Sequence, residues 1–463
     1  MKVAIIGSGI SGILVAKTFL EANYEVYLYD ASNLRKKNLN KKKLSFFPQT
    51  KISPKYDDPL IKKGISQFKK NYQVKVKKFF LASPLITGGM SNFWGGGIEI
   101  PEDNYLRRNL YNKKMLKEKK NLNYFLNLKS NIFQYYKDYF DQNFNKKLLK
   151  KKNQNIYFKK LGICASQNED NFIFNSSDKI KNLKMNNLFK YVPNKFIKDI
   201  KKQNGKFILF QSNNKKIEIK FDKVILSTGT IGSTLLIAKI LRIKNNIRLY
   251  HTPAFKLVYF NPLLIFKKNI TKIYKHPLLL LNYKFKNKVF KGSIIHAKNL
   301  SNVFFGVKNI NIIFSLFKNF LYIGNFFLLP EYSKTYIKKN KKGFIIYSNI
   351  KEEIDSNILN IRNNINKFFK KYFFINVPFL NFSKFTNGSD AHYTSTLFNT
   401  KLNNKKILNK NCEITKLKNL HVLDGSVIAE GLLYPTYFTM LNCIFVSKQI
   451  INNDKKNKNT HKH

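Results

Sequence analysis

The chain has 463 residues, enough for two or three domain-sized units, and its 43% hydrophobic content excludes wholesale disorder. Its formal net charge is +58, but lysine outnumbers arginine 78 to 6 and the lysines are spread along the whole length. Planar phosphate and base-edge recognition favours arginine, so the charge reads as a soluble, anion-attracting surface with no specific nucleic-acid partner.

Three cysteines, Cys164, Cys412 and Cys443, are far apart, and no CxxC occurs. That pattern argues against a disulfide framework and a zinc site, and suits a reducing, cytoplasmic setting. No metal site is expected.

Taken in chain order, residues 2–6 read as a short buried strand and residues 7–12 as a glycine turn. Residues 13–22 carry Leu14, Ala16 and Leu20 at helical spacing, and residues 24–29 read as a second strand. Together they make a βαβ unit. With the first strand beginning at Lys2, no signal peptide is expected before it. Residues 31–80 are lysine-rich and mixed, and residues 84–101 form a glycine-dense loop. Helix-compatible patterns occupy 106–115 and 124–136. Residues 206–211 and 217–221 read as hairpin strands around Asn213 and Asn214, leading into a buried strand at 222–227. Residues 251–380 alternate apolar runs with polar turns and lack long helical periods, which predicts a strand-rich second domain. The most apolar window, 312–329, contains Lys318, Asn319 and Asn325, so it reads as a buried element; weak membrane-surface contact is the alternative. A short strand is expected at 421–423, a final helix at 435–452 and a frayed, charged tail at 453–463.

Gly7-Ser8-Gly9-Ile10-Ser11-Gly12 matches the GxGxxG fingerprint and is answered by Asp30 at the end of the second strand. Gly7 permits the tight turn, Gly9 lets backbone approach a pyrophosphate, and Gly12 lets helix and strand pack closely. The helix N-terminus, with Ser8 and Ser11 beside it, offers unpaired N–H groups to a diphosphate. Asp30 can accept a ribose hydroxyl. This pattern alone does not separate FAD from NAD.

Three later segments carry a family resemblance. Gly88-Gly89-Met90-Ser91-Asn92-Phe93-Trp94-Gly95-Gly96-Gly97 resembles the flavin-side loop of glucose–methanol–choline oxidoreductases, especially the GGMS…W loop of pyranose oxidases. The resemblance implies that Asn92 and Trp94 lie near the isoalloxazine. In pyranose oxidases the position of Phe93 is a histidine bonded to the flavin, so FAD is expected here without a covalent link. Residues 223–233, with Ser227-Thr228-Gly229, resemble the family's strand-turn on the adenosine side. Leu423-Asp424-Gly425-Ser426, followed by Tyr434-Pro435-Thr436, resembles the C-terminal "V-D-G-S … N-P-T" segment. It implies Asp424 and Gly425 near the ribityl and pyrophosphate. Pro435 and Thr436 would then open a helix whose positive end meets the flavin N1–C2 edge.

Ser389-Asp390-Ala391-His392-Tyr393-Thr394-Ser395-Thr396 resembles the family's "H-x-x-G-T" segment. The resemblance makes His392 the base that takes the hydroxyl proton of an alcohol while hydride passes to flavin N5. Two departures stand out: Tyr434 replaces the usual asparagine or histidine, and Ser395 replaces the glycine. His251 is read as structural.

The expected fold is α/β: an FAD-binding, Rossmann-like, doubly wound domain (1–130, 195–250 and 381–463) with a strand-rich α+β substrate domain (131–194 and 251–380). The expected activity is FAD-dependent oxidation of the CH–OH group of a small-molecule sugar, glycan precursor or other alcohol, with the electron acceptor open. The alternatives are a flavoprotein reductase or desaturase, disfavoured because no second GxGxxG occurs, a non-catalytic flavin-binding protein, and a basic membrane-surface or nucleic-acid binder.

Overall fold

The computed structural model describes residues 1–32, 59–92, 94, 97–99, 113–126, 128–129, 156–160, 162–164, 174–262, 279–285, 288–296, 320–350, 354–378, 387–388, 390–429 and 435–460. The predicted βαβ unit is present as β1 (Lys2–Ile6), α1 (Ile10–Leu20) and β2 (Glu25–Tyr29). These are joined by β3 (Phe189–Val192), β4 (Lys223–Leu226) and β5 (Leu420–Val422) in one parallel sheet of order β5-β4-β1-β2-β3. Nearly every residue of β1, β2 and β4 is buried, as expected of strands covered on both faces. Helix α1 is apolar almost all round because it lies between the sheet and helix α3 (Thr436–Thr460), and α2 (Gly229–Ile240) follows β4. The fold class expected from the sequence is therefore found.

Strand β3 corrects one boundary. Its residues fall in the range expected for the second domain, yet they form the edge of the parallel sheet, and helix Ser176–Leu183 just before it packs on α1. The expected hairpin at 206–221 is also redrawn. Strand Lys206–Gln211 pairs with Ile197–Gln203, a strand missed in the sequence, and residues 216–221 join its other edge through isolated bridges.

The second layer is a six-stranded antiparallel sheet. Its order is Ile375–Asn376, Ala254–Phe260, Leu321–Phe327, Lys288–His296, Leu279–Phe285 and Ile156–Lys160. Helix Ile354–Lys370 covers one face, and its Ile358, Ile361, Ile365, Phe368 and Phe369 pack against Phe255, Leu257 and Tyr259. This helix contradicts the expectation that 251–380 lacks long helical periods. Its apolar residues do recur at three- and four-residue spacing, but asparagine, lysine and arginine between them hide the stripe. The apolar window at 312–329 supplies the central strand Leu321–Phe327, while 312–319 lie outside the described residues.

A four-stranded sheet, Ile247–Arg248, Ser333–Asn340, Gly343–Ile350 and Val74–Lys77, links the two layers. Helix Pro59–Tyr72 and strand Val74–Lys77 lie in the stretch that showed no readable pattern. Of the helical patterns at 106–136, the described part is helix Lys113–Phe125. The tail expected to fray continues α3 as far as Thr460, because Asp454 accepts the Tyr24 hydroxyl at 2.9 Å and pairs with Lys223 at 2.9 Å.

Candidate functional site

The neighbours of β1 are β2 on one side and β4 on the other, so the order of the sheet reverses there. Such a switch point opens a crevice beyond the carboxyl ends of the strands. A cleft of about 230 Å³ occupies that position, lined by Gly7, Ser8, Gly9 and Ser11 after β1, by Asp30 after β2 and by Thr228 and Gly229 after β4. Gly89, Met90 and Ser91 close it from the glycine-dense loop. The first turns of α1 and α2 thus meet one cavity; no side chain caps α1, whose first N–H groups suit a diphosphate, whereas Thr228 N and Gly229 N of α2 are turned to Ser233 and Asp424.

The glycines divide into two kinds. Gly7 has φ +109°, and a Cβ there would stand 2.3 Å from the Ser227 carbonyl oxygen; a Cβ on Gly12 would stand 1.9 Å from the Gly7 carbonyl oxygen. Both are required by the chain's own packing. Gly9 has φ −64°, open to any residue, and a Cβ there meets nothing within 4 Å. No protein atom demands glycine at that position. A ligand lying against the backbone would demand it, and a dinucleotide pyrophosphate is a group of that kind.

Asp30 is held from several sides. Its Oδ2 accepts Ser8 Oγ at 2.6 Å and the Tyr191 hydroxyl at 2.8 Å, and its Oδ1 accepts Ser32 N at 3.1 Å. Burial raises its pKa, and these hydrogen bonds oppose the rise. Ser8 Oγ also accepts Gly88 N at 2.9 Å, tying the fingerprint turn to the glycine-dense loop.

That loop is braced internally. Asn92 Nδ2 donates to the Thr87 and Gly89 carbonyls at 2.6 and 2.9 Å, and Ser176 Oγ donates to the Gly88 carbonyl at 2.7 Å. Trp94 Nε1 donates to the Phe174 carbonyl at 2.7 Å, with the two rings edge to face. Asn92 and Trp94 therefore shape the loop and are not among the residues lining the cleft. Phe93 and Gly95 lie outside the described residues.

Asp424 is likewise inside the scaffold. Its carboxylate takes the Ser233 hydroxyl and Ser426 N and Oγ, at 2.9 and 2.7 Å for the latter two, and burial raises its pKa against those bonds. Ser233 also meets Thr228 Oγ1 at 2.9 Å, so Asp424 fixes the first turn of α2 from behind. Gly425 packs on Thr230, where a Cβ would come within 2.5 Å of Oγ1. Pro435 is buried and Thr436 begins α3, as expected; neither lines the cleft, and Tyr434 lies outside the described residues.

His392 sits where the two layers meet. Its ring packs on Phe327 of the antiparallel sheet, with centroids 5.3 Å apart. The adjoining Tyr393 ties the segment to the parallel layer: its hydroxyl accepts Ala82 N at 2.9 Å and its carbonyl accepts Thr230 Oγ1 at 2.7 Å. Residues 83–86 continue from Ala82 into the cleft wall. The segment is strained, with Ala391 at φ +60° and Ser395 at φ +64°. Position 395 is the one where the resembled motif has glycine. The left-handed backbone gives the reason for that glycine, and the Ser395 hydroxyl is buried with no hydrogen-bond partner among the described residues.

Behind His392 lies a polar cluster. Asp390 Oδ2 accepts Thr252 N, Thr252 Oγ1 and His392 N at 2.9, 2.8 and 3.1 Å, and Oδ1 lies 3.2 Å from His251 Nδ1. Burial works against the charge of Asp390, but His251, His392 and Thr252 outweigh it and bring its pKa down to about 2. Thr252 Oγ1 lies 3.1 Å from His392 Nδ1, and His251 Nε2 meets the Ser333 and Thr335 hydroxyls. The sequence motif contains Asp390 but assigns it no role, and Thr252 carries no signal beyond following His251. On the same face of the sheet as Phe327, Lys256, Asn325 and Ser293 stand directly across three strands. Burial brings the Lys256 pKa down to about 7.

Among the described residues, no group of histidine, cysteine and carboxylate side chains could hold a metal ion, and no helix is long and apolar enough to cross a membrane. No family model matches the chain, and the search of curated proteins finds no match. Solved structures do match it in fold. A pyridoxine 4-oxidase from Mesorbium loti superposes with a TM-score of 0.59 at 10% identity, covering 97% of this chain and 98% of its own. Two Aspergillus oryzae formate oxidase variants, solved for the effect of mutation on FAD modification, give TM-scores of 0.61 and 0.58 at 12% and 13% identity, each covering 98% of both chains. These neighbours are glucose–methanol–choline oxidoreductases, so the fold implied by the sequence resemblance is found among the described residues.

Proposed function

We propose that the chain is an FAD-dependent oxidoreductase acting on the CH–OH group of a small-molecule donor, with His392 taking the hydroxyl proton. The observation that carries this reading is the junction at residues 390–397. That segment is bonded to the wall of the nucleotide cleft through Tyr393 and packed on the antiparallel sheet through the His392 ring.

FAD, when bound, supplies the hydride acceptor. Gly9 and the first turn of α1 would hold the diphosphate with α2 opposite, and Asp30, whose carboxylate also accepts Ser8, Tyr191 and Ser32, would stand at the adenosine ribose. An imidazole nitrogen of His392 removes the alcohol proton, which makes the carbinol carbon electron-rich enough to release hydride. Phe327, on which the His392 ring packs, would stand beside the donor. The donor class is a sugar or other polyol, on the strength of the pyranose-oxidase-like loop; the neighbours' own names concern pyridoxine and formate. FAD is held without a covalent link, because Phe93 offers no bonding atom. A cytoplasmic location belongs to the same reading and is supported by the unpaired thiols of Cys412 and Cys443.

The test is direct. Purified protein should show flavin absorbance, and acid precipitation should leave that colour in the supernatant. Sugars and alcohols should be screened anaerobically for bleaching. His392→Ala should keep the flavin and slow bleaching by about 100-fold or more. A variant that bleaches at the wild-type rate moves the base elsewhere.

A further inference from the structure

We infer that the chain carries a second small-molecule site, for an organic polyanion of the nucleoside-polyphosphate kind, in a basic cavity that shares the rings of Tyr72 and Phe196 with the dinucleotide cleft. The inference goes beyond the flavin reading and does not depend on it.

The cavity has a volume of about 480 Å³. It lies between the end of helix Pro59–Tyr72, the later turns of α2 beside strand Ile197–Gln203, and the turn joining strands Ser333–Asn340 and Gly343–Ile350. That turn is braced. A Cβ on Gly343 would stand 2.2 Å from the Gln73 carbonyl oxygen, which accepts Phe344 N at 3.0 Å. Asn340 Oδ1 accepts Lys342 N at 3.0 Å across the turn itself. The lysines on this turn therefore stand on a fixed frame.

Charge and apolar surface are divided within the cavity. Lys198, Lys239, Lys339, Lys341 and Lys342 line it, and no carboxylate does. None of the five forms an ion pair among the described residues. Lys239 Nζ donates to the Lys198 carbonyl at 3.0 Å, and Lys198 Nζ to Asn214 Oδ1 at 3.4 Å, both neutral acceptors. Burial lowers the Lys239 pKa; Asp199 works against that shift and the Lys198 ammonium adds to it. Like charges gathered round one cavity repel, and a ligand bearing several negative charges removes that repulsion. The rest of the lining is apolar, with Phe196, Leu235, Leu236 and Phe344 all buried. Phe196 meets the Tyr72 ring edge to face at 4.8 Å, and the Tyr72 hydroxyl is hydrogen-bonded to Thr228. Both rings also line the dinucleotide cleft, so they form the wall between the two cavities.

The class of ligand follows from that division. A lysine ammonium meets phosphate as a point charge, so attraction grows with the number of charges brought to it. An inorganic anion satisfies the lysines and leaves the apolar lining bare. A nucleoside polyphosphate satisfies both, with its flat base on the aromatic and leucine surface and its phosphates among the ammonium groups.

The test uses full-length protein saturated with FAD, so that the dinucleotide cleft is filled. It is run in about 0.15 M potassium chloride, which screens general attraction to a basic surface. Calorimetric titration with ATP should show one saturable site. Tripolyphosphate, similar in charge but without a base, should bind about 10-fold more weakly or worse. Lys341→Gln with Lys342→Gln should weaken ATP binding by about 10-fold. Lys367→Gln with Lys370→Gln removes the same charge from the exposed face of the helix on the antiparallel layer, and should change it by less than about 2-fold. All four positions are exposed, so the variants keep the fold. Absence of saturable ATP binding overturns the inference. So does tripolyphosphate binding as tightly as ATP, or an equal loss in the two lysine pairs. Gly9→Val, which closes the dinucleotide cleft, should bind ATP as the wild type does; loss of binding there would put ATP in that cleft and overturn the second site. If the wild type holds no flavin but ATP binding still depends on Lys341 and Lys342, the second site stands and the flavin reading falls.

Discussion

Gly9 and Gly12 are three residues apart in one turn and answer to different masters. Gly12 is held by the chain itself, since a Cβ would overlap the Gly7 carbonyl. Gly12→Ala should therefore cost about 3 kcal/mol of stability whether or not flavin is present. Gly9→Val should cost the apoprotein only about 1 kcal/mol, in line with a poorer helix cap, yet abolish flavin retention. Urea titration of the two apoproteins and the flavin content of each purified variant separate the cases. A yellow Gly9→Val protein would contradict the placement of the diphosphate. The sequence motif identifies both glycines but not this division, because the motif records spacing and the division depends on what faces each Cα.

The same contrast explains what sequence reading missed around His392. Thr252, Thr335, Asp390 and His392 come from three separate stretches of chain, and only folding brings them together. Asn92 and Asp424 show the reverse. Their motifs are visible, but the carboxylate and the amide are turned inward to brace a loop and a helix start.

At the level of elements, local pattern was legible where it was strong. The β1-α1-β2 unit lies within about thirty residues and declares itself through strand, glycine turn and apolar helix. Helix Ile354–Lys370 did not, because its exposed face is crowded with asparagine and basic residues that break the eye's periodicity. The last helix was read correctly at its start, where Pro435 marks the boundary, and too short at its end. What extends it is a tertiary contact. Lys223 and Asp454 are buried together, with side chains 4% and 13% exposed, and Tyr24 completes the cluster. Asp454→Asn would leave the lysine charge without its partner, and should cost about 3 kcal/mol in urea denaturation. Replacing both residues with apolar ones, Lys223→Met with Asp454→Leu, should recover most of that loss. Equal stability of the single and double variants would show that the pair is not coupled.

At the scale of the whole molecule, charge is the dominant property. The net value of +58 is spread over the surface, so self-repulsion favours expansion of the chain. Raising sodium chloride from about 0.05 M to about 0.5 M should therefore increase the melting temperature by a few degrees, as screening shortens the reach of that repulsion. A melting temperature that falls with salt would mean that attractive ion pairs outweigh the repulsion. Such pairs do exist, as between Lys17 and Glu21 or Lys288 and Glu331, but these are half-exposed and individually weak.

The strand order of the parallel sheet bears on how the protein is made. Its five strands come from residues 2–6, 25–29, 189–192, 223–226 and 420–422, and the helix that covers α1 begins only at residue 436. Residues 2–29 are synthesised long before residues 420–460, so the face of α1 that meets α3 lacks its native cover until those later residues emerge. Every residue lining the nucleotide cleft lies before residue 230, so the walls of the cleft are synthesised well ahead of the strand and the helix that complete the layer behind them.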